Sequence, residues 1–138
     1  MLIGISPLLG PDLLHTLRAM GHGDEIALVD GNYPAAEHAR RLIRADGIPL
    51  LPMLQAVLAV LPVEAVLRAS LNNDPAQAGE IHRQIDALAQ DRGQSATALP
   101  GDQLYPRIRS AYAVVATSEP QLFANVLMRK AALPPANS

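Results

Sequence analysis

A histidine between two glycines, Gly21-His22-Gly23, stands eight residues before Asp30. An imidazole of ordinary pKa, about 6.5, can take or give a proton near neutrality, so His22 reads as an exposed general acid or base. The same placement suits a histidine at a helix C-terminus, where the dipole favours its cation. Asp30 closes a short apolar run. Open α/β sheets gather ligands at the carboxyl ends of their strands, and an Asx-turn onto the following backbone is the even alternative. Tyr105 and Arg107 lie two apart near the start of a helical stretch. Taken singly, one reads as a core tyrosine with a satisfied hydroxyl and the other as a surface cation. Asn125 precedes an apolar run and reads also as a turn residue. His15, His38 and His82 read as solvated or capping residues.

Other chemistries lack their residues. The four histidines have no HExxH or other zinc spacing, and the chain has no cysteine, so no metal site, cofactor or disulfide is expected. Gly21-His22-Gly23-Asp24-Glu25-Ile26 fails the dinucleotide fingerprint, because Ile26 stands at the third glycine and the stretch precedes a strand. No GxxxxGK[ST] phosphate loop and no GxSxG nucleophile elbow occurs. A net charge of −2 with scattered acids and bases gives no basic stripe for nucleic acid.

These residues must be positioned by a small chain. Its 138 residues suit one domain, expected over 1–133 with a flexible tail at 134–138. Hydrophobic residues make up 49% but aromatics only 3%, so the core is built from Leu, Val, Ile and Ala. That aliphatic surplus predicts a homo-oligomer. The first eleven residues lack the basic region of a signal peptide, and the apolar stretch 48–63 is broken by Pro49, Pro52 and Pro62. No membrane association and a cytoplasmic location are therefore expected.

Leu13 to Met20 is amphipathic, with Gly21 placed to end it. Strands are predicted at 26–29, 42–43, 63–67, 113–116 and 126–128, and helices at 52–61, 77–90 and 103–111, with Pro106 restricting where the last begins. Strands alternating with helices predict an α/β fold with a mainly parallel or mixed sheet. Asp30 and Thr117-Ser118-Glu119 then fall at strand ends.

Three stretches together carry a resemblance: ISPLLGPDLLHTLRAMGHGDEIALVDGNYPA ending at Ala35, IRADGIPLLPMLQAVLAVLPVE at 43–64, and LYPRIRSAYAVVATSEPQLFANVLMRKA at 104–131. In this order they resemble the ribose pyranase and fucose mutarotase family, especially its fucose branch. The segment GHGDEI-strand-D-x-N-x-P is the most specific part, and the segment 70–100 matches weakly.

The resemblance implies a fold like that of the ribose pyranases and an oligomer, a ring or decamer, with sugar sites near subunit boundaries. It implies His22 as the catalytic histidine, Tyr105 as a proton-transfer tyrosine, and Asp30, Arg107 and Asn125 as sugar-binding residues. Three positions depart from the family. Phe123 replaces a sugar-contacting tyrosine, so its ring could pack on the sugar without a hydroxyl. Glu64 stands where an aspartate can lie near the sugar, and it either reaches further or makes no contact. Pro106, beside Tyr105, replaces a residue that is usually not proline.

The implied reaction is mutarotation of a free monosaccharide such as L-fucose, with pyranose–furanose exchange as a variant. Ring opening of a hemiacetal needs one proton taken from the anomeric hydroxyl and one delivered to the ring oxygen. An acid–base pair does both, each member contributing about 10²–10⁴-fold. His22 and Tyr105 are the expected pair. The rival expectation is a non-catalytic sugar-binding or transport-accessory protein.

Overall fold

The computed structural model describes residues 1–136. Its centre is a six-stranded mixed sheet of order β2-β5-β1-β6-β3-β4. The strands are β1 (Glu25–Val29), β2 (Leu42–Ala45), β3 (Val63–Arg68), β4 (Thr97–Ala98), β5 (Ala113–Thr117) and β6 (Val126–Lys130). β5 pairs parallel with β1 and β2, β3 pairs parallel with β4, and β6 runs antiparallel between β1 and β3. The expected α/β class and mixed sheet hold. Part of the expected tail, at 137–138, lies outside the described residues.

Successive strand residues point to opposite faces. Ile26, Leu28, Val115 and Met128 face one apolar layer, shared with helices α1 (Pro11–Ala19), α3 (Leu50–Leu58) and α4 (Glu80–Gln90). Ala27, Val29, Val114 and Leu127 face the other, covered by Leu104 and Ile108 of helix α5 (Gly101–Ser110) and by Ala35 of the short helix α2 (Ala35–His38). A sheet buried on both faces has apolar strands without polar alternation, which is why β1 and β5 are apolar almost throughout.

Several local expectations shift. Met20 turns extended and ends α1, while the left-handed glycine is Gly23, at φ 89°, not Gly21. The helix expected at 52–61 begins at Leu50, with Pro52 in its first turn, where a missing N–H costs little. Pro106 lies in the middle of α5, forfeiting one helical hydrogen bond. β4, α2 and a 3₁₀ turn at Leu71–Asn73 were not expected.

Candidate functional site

The carboxyl ends of β1 and β5 do not serve equally. Beyond β5, Thr117 and Glu119 are buried and engaged in structure. The Thr117 hydroxyl donates to the Val29 carbonyl at 2.6 Å, and the Glu119 carboxylate accepts the N–H groups of Leu50 and Gln121 at 3.1 and 3.2 Å. Glu119 thus satisfies an orphan donor at the start of α3.

Beyond β1 the chain opens a cavity of about 350 Å³, lined among others by Asp30, Tyr33, Tyr105, Phe123 and Asn125. This lies in the range of small-molecule sites, roughly 300–1,000 Å³. An adjoining depression of about 590 Å³ shares Tyr105 and Arg109 with it.

Asp30 is only 5% exposed. Its carboxylate accepts the Asn32 N–H at 2.8 Å, and its own N–H donates to the Asn125 side-chain carbonyl at 2.9 Å. The Asx-turn and the cavity position therefore coexist. Burial pushes the Asp30 pKa above the ordinary value of 3.8, against hydrogen bonds from Asn32, Tyr33, Asn125 and Ala124 that pull it down.

Tyr105 faces Asp30 from α5. Its hydroxyl donates to the Asn73 side-chain carbonyl at 2.7 Å. Burial, and then the Asp30 charge, raise its pKa above 10.0, so it stays a protonated phenol at neutral pH. Asn73 adopts φ 59°, a left-handed geometry that asparagine tolerates better than most residues. A Cβ on Gly101 would come within 2.8 Å of Asn73 Cγ and 2.9 Å of Tyr105 Cε2. Glycine at the start of α5 lets these two side chains meet.

Phe123 forms an apolar wall at φ 62°. Its carbonyl is 2.9 Å from His82 Nε2, while His82 Nδ1 accepts the Gly79 N–H at 3.0 Å. His82 is 0% exposed, which corrects its reading as a solvated residue but keeps its capping role. With Nδ1 accepting, the proton sits on Nε2 and donates to Phe123. Burial lowers the His82 pKa from 6.5, in keeping with this neutral ring.

The remaining expected residues lie at the other end of the sheet. His22 precedes β1 and Asp30 follows it, with a five-residue strand of about 3.3 Å per residue between them. His22 Nε2 meets Glu64 Oε1 at 2.5 Å, at the start of β3. The two side chains are 62% and 38% exposed, so both face the outside. Arg107 pairs with Glu25, which also accepts from Arg129 at 3.2 Å. A single chain thus brings together Asp30, Tyr105, Phe123 and Asn125, and separately His22 and Glu64, with Arg107 also near the amino end of β1.

The guanidinium at the cavity is Arg109. One helical turn beyond Tyr105 puts Arg109 on the same face of α5, whereas two residues put Arg107 on another. Helical spacing was the available signal for it. Asn73, Tyr33 and His38 also line this region unexpectedly. Among the described residues no three His, Cys, Asp or Glu side chains converge as metal ligands.

Comparison with known proteins covers nearly the whole chain. L-fucose mutarotase of Haemophilus influenzae (strain 86-028NP) is 36% identical over 142 residues, spanning 97% of this chain and 99% of the relative. Fucose mutarotase of Danio rerio is 32% identical over 147 residues, spanning 98% and 96%. The crystal structure of fucose mutarotase from Streptococcus pneumoniae in complex with L-fucose superposes with a TM-score of 0.88 at 34% identity, covering 96% of this chain and 100% of that one. Bacillus subtilis RbsD complexed with D-ribose shares the fold, with a TM-score of 0.74 at 20% identity over 91% and 95% of the two chains. Residues 3–133 match the family described as the RbsD / FucU transport protein family, and the chain belongs to that family.

Proposed function

We propose that this protein is a mutarotase of L-fucose or a close monosaccharide relative. The observation that carries the reading is the pairing of buried Asp30 with the protonated Tyr105 phenol across one cavity, in a chain that aligns end to end with fucose mutarotases. Asp30 and Asn125 would hold sugar hydroxyls, and Phe123 would pack on a sugar face.

Opening the ring breaks the bond between the anomeric carbon and the ring oxygen. A base takes the anomeric hydroxyl proton as the aldehyde forms, and an acid protonates the ring oxygen. Rotation and reclosure reverse both transfers, so the two groups exchange roles. Tyr105 is one of the pair, and the imidazole of His22 is the other.

Because His22 and Tyr105 occupy opposite ends of β1, the complete site requires two copies of the chain. His22 of one copy would enter the cavity of its neighbour, oriented by Glu64. Two observations support this. The His22–Glu64 pair faces outward, and Leu122 at the cavity is 58% exposed, an apolar surface suited to cover by a second subunit. Arg107 then acts by holding Glu25 near the amino end of β1. We place the protein in the cytoplasm, a reading supported by the lack of cysteine.

Magnetisation-transfer NMR on L-fucose, D-ribose and D-galactose tests the function. Faster exchange between the anomer signals of at least one sugar is expected. Sugar binding without faster exchange would replace the enzyme by a sugar-binding protein.

A further inference from the structure

A second phenol enters the cavity beside Tyr105. The Tyr33 and Tyr105 ring centroids are 6.0 Å apart. Tyr33 belongs to the turn after β1, and the end of α2 carries His38 five residues on, so both line the same space.

Their protonation follows from the donors. Arg109 Nη2 lies 3.0 Å from His38 Nε2, and His38 Nδ1 lies 3.0 Å from the Tyr33 hydroxyl. A guanidinium only donates. His38 Nε2 must therefore accept, Nδ1 carries the ring proton, and that proton goes to the Tyr33 oxygen. An edge-on contact at 5.3 Å and 84° fixes the two rings. The Tyr33 oxygen is thus already an acceptor, and its own proton has no acceptor within the chain among the described residues. Burial holds the phenol protonated, with a pKa pushed up to about 12. On the other wall Phe123 has no hydroxyl to offer.

We propose that Tyr33, oriented by the Arg109–His38 pair, donates its hydroxyl proton to a ring hydroxyl of the bound monosaccharide and so selects which sugar the site accepts. This rests on the sugar-binding reading of the Asp30 cavity. Tyr33 is a binding contact, and His38 is a positioning residue acting through it. The donor is available only while His38 keeps its Nδ1 proton, which ties sugar choice to two residues outside the proton-transfer pair.

The test measures KM and kcat for anomer exchange, and sugar binding by calorimetry, with L-fucose, D-ribose, D-galactose and monodeoxy analogues of L-fucose each lacking one ring hydroxyl. Tyr33→Phe keeps the ring and should raise KM, or the dissociation constant, about threefold to tenfold with kcat little changed. One deoxy analogue should bind wild type and Tyr33→Phe equally, marking the hydroxyl that Tyr33 contacts. His38→Ala should raise KM by a similar factor and add nothing when combined with Tyr33→Phe, which a purely structural role would not do. Unchanged KM and binding for every sugar in Tyr33→Phe, with active wild type, overturns the role of Tyr33 alone. Wild type that binds sugar without accelerating exchange, and loses binding in Tyr33→Phe, upholds Tyr33 and overturns the mutarotase. No binding of any of these sugars overturns both.

Discussion

Asn73 offers the most separable perturbation of the candidate site. Its side-chain carbonyl accepts the Tyr105 hydroxyl at 2.7 Å, and its backbone sits at φ 59°. Asn73→Gly removes the acceptor and relaxes the backbone. The lost hydrogen bond costs about 0.5–1.5 kcal/mol, and relief of the left-handed geometry offsets part of that. Asn73→Ala loses the same bond and adds a Cβ where the left-handed region costs roughly 1–2 kcal/mol. The alanine variant should therefore melt several degrees below the glycine variant, at about 3–5 °C per kcal/mol for a chain of this size. Catalysis should respond differently. Both variants free the same phenol, and misplacement of a reacting group by about 1 Å can cost up to 10²-fold. Anomer exchange should fall tenfold or more in both, to a similar extent, although their melting temperatures differ. Exchange at the wild-type rate in Asn73→Gly would refute the claim that Asn73 positions Tyr105. A loss of rate that tracked melting temperature would assign Asn73 to stability alone.

Other outcomes follow from the same geometry. Asp30 has a folded pKa raised above 3.8, so the folded state binds its proton more tightly than the unfolded chain. That burial cost appears as pH rises through the window between those two values and is fully present above it. Asp30→Asn keeps an acceptor for the Asn32 N–H, so it should melt higher than wild type at pH 7 while binding sugar weakly; thermal scans at pH 7 and pH 3 check the sign, and a lower melting temperature at pH 7 contradicts it. Glu64→Gln weakens the contact that orients the His22 imidazole, and kcat should fall about tenfold or more with folding intact by circular dichroism. His82→Ala leaves the Phe123 carbonyl and the Gly79 N–H without a partner and opens a cavity, so urea denaturation should show a loss of roughly 2–5 kcal/mol.

The strands were legible because a sheet covered on both faces needs continuous apolar runs, and 26–29 and 113–116 are such runs. Asp30 was legible for the same reason, as the first polar residue after one of them. What was hidden depends on contacts across sequence. Asn73 meets Tyr105 across 32 positions, and His82 meets Phe123 across 41. No local pattern encodes either, and Asn73 and His82 lie in the segment where the family resemblance is weakest. His82 sits among polar neighbours on an amphipathic helix, which disguised a fully buried ring. Arg109 was within reach, since a helix places position i+4, not i+2, beside Tyr105. Pro106 drew the expected helix start inward, whereas the helix begins at Gly101 and carries the proline inside. The separation of His22 from Asp30 follows directly from strand length, because the residues flanking a strand leave at opposite ends, and Tyr105 lies with Asp30.

Mixed oligomers test the proposed two-copy site most directly. His22→Ala and Tyr105→Phe should each be nearly inactive alone. When the two chains are co-expressed and assemble at random, about one site in four should receive an intact imidazole from one copy and an intact phenol from another, restoring roughly a quarter of the wild-type exchange rate. Co-assembled, folded mixtures that remain as inactive as either variant alone would contradict a site built from two copies of the chain.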